Sequence, residues 1–185
     1  MRILGISGSL RKDSHNTALL RAAAELLPPG VELQLFDGLK AIPPYNADED
    51  TPELQGPAVQ ALKDAIERAD AVLISTPEYN HSIPGVLKNA LDWASRPVTE
   101  TVLRGKPAAV VGASTGLFGA VWAQAEVRKV LGAIGAEVVD RELPVMQAHV
   151  QFDEYGNLRE EDLRGQLAEH VTALVRAARE KVPAS

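Results

Sequence analysis

The sequence predicts an α/β protein built on a doubly wound, five-stranded parallel sheet in the order 2-1-3-4-5, with helices on both faces in three layers. Three observations predict it. Short apolar runs alternate with amphipathic helical stretches along almost the whole chain, the alternation that parallel strands joined by crossover helices require. Two of the runs, 71–76 and 108–113, lack polar alternates, as strands covered on both faces do. The chain has 185 residues, enough to bury one core without staples, so residues 1–185 are expected to form a single domain.

Ile3 to Ser7 form the first strand, ending in glycine and serine; helical spacing follows from Asn16 to Leu27 at Leu19, Leu20, Ala23, Leu26 and Leu27. Pro28, Pro29 and Gly30 stop that helix. Val31, Leu33 and Leu35 then alternate with Glu32 and Gln34, as a strand with one wetter face does. Residues 38–57 are rich in Pro, Asp and Glu and have no period, which predicts a long surface loop, and Val59, Leu62 and Ile66 mark the next helix. After the third strand, 71–76, Pro84 occupies a first-turn position, and Val86, Leu87, Ala90, Leu91 and Ala94 stripe the helix it opens. The fourth strand is 108–113. Beyond a glycine-punctuated turn, Val121, Trp122, Val130, Leu131 and Ile134 line another helix, 138–145 is expected as the fifth strand, and Leu163, Leu167, Val171, Leu174 and Val175 form a closing helix.

Composition narrows the chemistry. With no cysteine, disulfides, thiolate metal sites, iron–sulfur clusters and cysteine nucleophiles are excluded, and redox chemistry would need a borrowed cofactor. A net charge of -6 and a pI near 5.3 argue against a nucleic-acid partner. No apolar run approaches the ~20 residues of a membrane span, and Met1-Arg2 leads into a strand rather than a signal peptide, so a cytoplasmic protein without a membrane partner is expected. The four histidines, His15, His81, His149 and His170, are scattered, and no metal site is expected.

In an open parallel sheet, ligands bind beyond the carboxyl ends of the strands where the strand order reverses, here between strands one and three. That privileges three loops, 7–16, 77–83 and 114–119, and the polar and glycine residues concentrate there. The first carries Ser9, Arg11, Lys12, Ser14, His15, Asn16 and Thr17 just before a helix N-terminus, where backbone N–H groups, hydroxyls and a guanidinium suit a phosphate monoester. Equally, Ser14 or Asn16 could only cap the helix, with Arg11 and Lys12 solvated. Neither the G-x-G-x-x-G pattern nor a G-K-[ST] ending is present. The second loop offers the flat face of Tyr79 and the amide of Asn80 in a proline-stiffened backbone, or else a rigid turn into a helix. In the third, Gly116 and Gly119 permit close approach to a planar ring. The same loop matches G-x-S-x-G at Ser114, followed by Asp140 and His149 in hydrolase order, but the helical pattern resumes only near Ala120, too late for a nucleophile elbow.

Gly8-Ser9-Leu10-Arg11 with Ser14 and Asn16, then Thr76-Pro77-Glu78-Tyr79-Asn80, then Ile83-Pro84-Gly85-Val86-Leu87-Lys88-Asn89-Ala90-Leu91-Asp92-Trp93, stand in an order and spacing that resemble the NAD(P)H-dependent FMN reductase family. That family is flavodoxin-like and includes bacterial quinone and chromate reductases; the resemblance runs from Ile3 to about Ile134. It implies bound FMN, with hydride passing from NADPH or NADH to a small acceptor: a quinone, free flavin, azo compound or oxidised metal ion. It also implies a homodimer or homotetramer with FMN near the subunit interface. By the same resemblance Ser9, Arg11, Ser14, Asn16 and Thr17 bind the phosphate, and His15 among them is expected at the cofactor. Pro77, Glu78, Tyr79 and Asn80 contact the isoalloxazine, largely through backbone, and Ser114 and Gly116 form the third flavin loop. No catalytic residue is named, because the cofactor carries the chemistry. Ala120 and Trp122 depart from the family, whose members often have glycine and arginine there, and the indole is expected to reshape the acceptor pocket or subunit contact. A flavodoxin-type electron carrier is the competing reading, but carriers tend to cover their flavin with aromatics, and here aromatics are only 4% of residues.

Overall fold

The computed structural model describes residues 1–181. In chain order the elements are β1 (Arg2–Ser7), α1 (His15–Glu25), β2 (Glu32–Phe36), α2 (Gly56–Arg68), β3 (Ala71–Thr76), α3 (Gly85–Ala94), β4 (Pro107–Ala113), α4 (Val121–Ile134), β5 (Glu137–Val138), β6 (Pro144–Val145), α5 (Ala148–Gln151) and α6 (Glu161–Lys181). All strands are parallel, and the order is β2-β1-β3-β4-β5, with β6 also on β4.

The central strands are buried because their side chains feed two cores in alternation. Ile3, Leu73, Ala109 and Val111 face α1 and α6, where Leu19, Leu20, Leu167, Val171 and Leu174 meet them. Leu4, Ile6, Val72, Ile74 and Val110 face α2, α3 and α4, against Leu62, Ile66, Leu87, Leu91 and Leu131. β2 is the edge strand and keeps the wetter face its Glu and Gln residues require.

Two expectations change. The fifth strand, expected as continuous over 138–145, is interrupted. β5 and β6 each pair with β4, but Ala108 opposes Val138 and Gly112 opposes Pro144, so four steps on β4 span six on its neighbour. The extra residues bulge out at Asp140, Arg141 and Glu142, whose charges favour solvent over a buried ladder. Pro84 precedes the first turn of α3 instead of lying within it. The aperiodic stretch expected as a loop over 38–57 is one as far as Gln55, with short turns at Gly38–Ala41 and Ala47–Glu49; Gly56 and Pro57 already open α2, whose first turn tolerates proline. It is fastened to α3 by Asn89 Nδ2 and the buried Trp93 Nε1, each donating to the Pro43 carbonyl at 2.8 Å.

Candidate active site

The carboxyl ends of β1, β3 and β4 bring the three privileged loops to one edge. Between them lies an open cavity of about 170 Å³ lined by Ser9, Arg11, Ser14, His15, Asn16, Pro77, Glu78, Tyr79 and Ser114, with Ala113 and Thr115 completing the wall. Ala113 and Thr115 are the two lining residues that sequence reasoning passed over; their only signal was adjacency to Ser114. Three further residues singled out in the sequence stand off this lining. Thr17 turns to the other side of the first loop, where its Oγ1 donates to Ser7 Oγ at 3.0 Å and a neighbouring cavity of about 330 Å³ opens. Asn80 sits in a turn beyond Tyr79, and Gly116 accepts through its carbonyl from Gln147 N at 2.9 Å.

The first loop is shaped by close approach. A Cβ on Gly8 would stand 3.0 Å from Leu87 Cδ2 and 3.2 Å from Pro77 Cδ, so glycine lets the loop pass tightly over β3. Ser14 then caps α1, its Oγ accepting from Asn16 N at 3.2 Å. Asn16 is buried and committed to the frame. Its Oδ1 accepts from Ser75 Oγ at 2.9 Å and Ala113 N at 3.0 Å, and its Nδ2 donates to the Ala113 carbonyl at 2.9 Å. The start of α1 is thereby tied to β3 and β4 at a fixed spacing. Arg11 is exposed, and its guanidinium has no ion-pair partner among the described residues. The cavity thus meets the positive end of a helix with a free cation and several hydroxyls beside it. Burial, then Arg11, then His149, hold the His15 imidazole below its ordinary pKa.

The second loop is a hairpin turn. Tyr79 N donates to the Ser82 carbonyl and Ser82 N to the Tyr79 carbonyl, each at 3.2 Å, and both central residues, Asn80 (φ 53°) and His81 (φ 61°), are left-handed. Asparagine tolerates that conformation well. The Glu78 carboxylate links the hairpin to the start of α4. Oε2 accepts from Trp122 N at 3.0 Å and Ala123 N at 3.2 Å, and Oε1 lies 3.6 Å from His81 Nδ1. It caps α4, whose own N-cap position is Ala120 at φ 61° with no side-chain bond to give. The indole of Trp122 meets His81 edge-on at 4.7 Å and Phe118 at 4.9 Å, and Leu117, Phe118 and Trp122 leave an apolar surface exposed beside the cavity.

The third loop does not form a nucleophile elbow. Ser114 is not among the residues with left-handed backbone, and α4 begins only at Val121. Its glycine has a specific task at Gly119, where φ is 57° and a Cβ would lie 2.5 Å from the Pro144 carbonyl carbon.

The residues present fit a phosphate monoester carrying a flat ring: cation, hydroxyls and helix N-terminus at one end, the Pro77-to-Tyr79 backbone and Ser114 at the other. The one carboxylate in the lining, that of Glu78, is engaged by α4. Sheet order defines a flavodoxin-like protein, and the cavity opens at its β1/β3 switch point. More particularly, the chain belongs to the NADPH-dependent FMN reductase family, whose model matches residues 1–150. It is 43% identical over 175 residues to an NAD(P)H-dependent FMN reductase of Pseudomonas aeruginosa, covering 94% of this chain and 93% of that one. It is 40% identical over 167 residues to a 2-hydroxy-1,4-benzoquinone reductase of a Burkholderia species, covering 89% and 88%. Among solved structures it resembles FerB, a flavoenzyme NAD(P)H:(acceptor) oxidoreductase of Paracoccus denitrificans, with a TM-score of 0.85, 38% identity and 97% of each chain covered. The protein is accordingly a flavin-dependent oxidoreductase with FMN as cofactor and NAD(P)H as reductant.

Proposed function

We propose that the cavity seats FMN with its phosphate against the first turn of α1 and its ring edge along Pro77, Glu78, Tyr79 and Ser114, and that the chain reduces a quinone-type acceptor at the expense of NAD(P)H. The observation that carries the reading is the convergence of three loops, distant in sequence, on one cavity lined by Arg11, which has no ion-pair partner among the described residues. When bound, FMN supplies the hydride-accepting and hydride-donating chemistry. The chain's own residues bind and orient. Arg11, Ser9 and the α1 N-terminus hold the phosphate; the Tyr79-to-Ser82 hairpin presents a stiff backbone to the ring; Asn16 keeps the two ends at constant distance. Relatives named for quinones support a quinone, while free flavin, azo compounds and oxidised metal ions share its one requirement, access to a reduced ring.

Exposed Leu117, Phe118 and Trp122 at the cavity margin support a homo-oligomer in which a second copy covers them. No helix among the described residues is long and apolar enough to cross a membrane. We read the chain as a cytoplasmic protein of one FMN-binding domain, in keeping with the two cores that share one sheet. The purified protein is expected to show absorption bands near ~450 and ~375 nm that NADPH bleaches and a quinone restores. A colourless protein that rejects added FMN would overturn the reading. Light scattering that returned a monomer would remove the oligomer alone.

A further inference from the structure

The phosphate end of the cavity holds a second basic group beside Arg11. His15 is the first residue of α1 and lines the cavity together with Ser9, Arg11 and Ser14. Its imidazole stacks on Phe152, with ring centroids 5.8 Å apart and planes within 10°. Phe152 is itself fixed: it bridges to Leu158, and its carbonyl accepts from Arg159 Nε at 3.0 Å. A stack of this kind sets the plane of the imidazole and leaves its two nitrogens at the ring edge for hydrogen bonding. The charged groups acting on His15 are Arg11 from the first loop and His149 from α5, both basic, and no carboxylate opposes them. Together with burial they favour the neutral ring. A dianion beside the ring reverses the balance, because an opposite charge within a few ångströms favours the protonated form.

We propose that His15 is a proton-dependent second cation of this pocket, so that a phosphate monoester and one proton bind together. The proposal rests on the reading of the cavity as the FMN phosphate site. Neutral His15 offers a single N–H donor; the protonated ring offers a charge-assisted one. The sign follows from linkage. Binding that takes up a proton is strongest below the pKa of the free pocket and weakens as pH rises, by up to about tenfold per pH unit until the bound-state pKa is passed. The phosphate group has its own second ionisation near about 6, which acts in the opposite sense but equally in every variant.

Two substitutions separate these effects. His15→Phe keeps a ring to stack on Phe152, and His15→Gln keeps a hydrogen-bonding group that does not titrate. In the flavin-free protein, the His15 Cε1 proton resonance is expected to titrate at higher pH with saturating inorganic phosphate than without it; an unmoved titration overturns the proposal. FMN affinity, followed by quenching of flavin fluorescence, is expected to favour wild type over both variants most at pH about 6 and least at pH about 8. Parallel pH curves for wild type and variants overturn the proposal and leave the FMN site standing. A wild type that binds no FMN at either pH overturns both.

Discussion

α1 and α4 both begin at the carboxyl edge of the sheet, and their N-termini are treated in opposite ways. α1 is capped locally by Ser14, which takes one N–H, and the rest of its positive end faces a cavity lined by Arg11, unpaired among the described residues. α4 has no cap of its own, and the carboxylate of Glu78 reaches across from the preceding loop to accept two of its first N–H groups. One helix end is left short of an anion and the other has been given one. An empty demand for negative charge marks a binding site, whereas the same helix end already satisfied by the protein's own carboxylate is a structural joint. The contrast predicts that perturbing the α1 end changes ligand affinity, except where the frame itself is touched, and that perturbing the α4 end changes stability.

The exception gives the largest effect. Asn16→Ala removes the side chain that joins α1 to β3 and β4, and leaves Ser75 Oγ and both polar groups of Ala113 unpartnered in a buried place. Stranding buried backbone groups costs about 3 kcal/mol or more, so urea denaturation of the flavin-free protein should show a large fall in midpoint. A variant as stable as wild type would mean that Asn16 serves the ligand and not the frame.

Next comes a pH effect that bounds where the comparison can be made. His170 in α6 is 1% exposed, and its pKa is lowered to about 4, chiefly by burial; a backbone hydrogen bond to Val110 works the other way, and Arg141 and Arg128 add to the lowering. The unfolded chain therefore binds a proton near 6.5 that the folded chain refuses until about 4. Stability is complete above the unfolded value and falls as pH drops through this window, by about 3 kcal/mol in all. His170→Leu should flatten that part of the stability-against-pH curve; an unchanged curve would assign the loss to other groups.

Arg11→Ala is the direct test of the α1 end. Loss of a charged hydrogen-bonding partner is worth about 1.5–3 kcal/mol of affinity, at least tenfold in the Kd for FMN, with little change in the flavin-free unfolding midpoint because the Arg11 guanidinium has no ion-pair partner among the described residues. Full retention of flavin affinity would move the phosphate elsewhere.

Much of this was legible in the sequence, and what was not has a physical reason. Strands 71–76 and 108–113 announced themselves because burial on both faces leaves near-continuous apolar runs, and the three loops stood out because glycine, hydroxyls and cations cluster in them. The break between β5 and β6 was hidden, since Val138, Val139, Leu143 and Val145 are as apolar as one strand needs and only the charges between them hint at a bulge. The family pattern implies Asn16 at the phosphate, and it does line the cavity, but its bonds to Ser75 and Ala113 join strands that local sequence does not name. Phe152 gave no signal, because nothing in the spacing of two distant rings reveals that they stack.

Glu78 is the instructive case for the α4 end. A local cap lies immediately before the helix it serves, and the pattern of small polar residues reveals it. Here that position is Ala120, and the acceptor comes from a residue that the family pattern places beside the flavin ring. Glu78→Ala should cost about 1 kcal/mol of stability, the ordinary worth of an N-cap, and should alter the fluorescence of Trp122, whose N–H it holds. Glu78→Gln retains a carbonyl oxygen for the same N–H groups and loses only the charge on the helix dipole, so it should recover most of that stability. FMN affinity should change less in either variant than in Arg11→Ala. If Glu78→Ala instead left stability intact and abolished flavin binding, the carboxylate would be a ligand, and the two helix ends would differ less than their geometry implies.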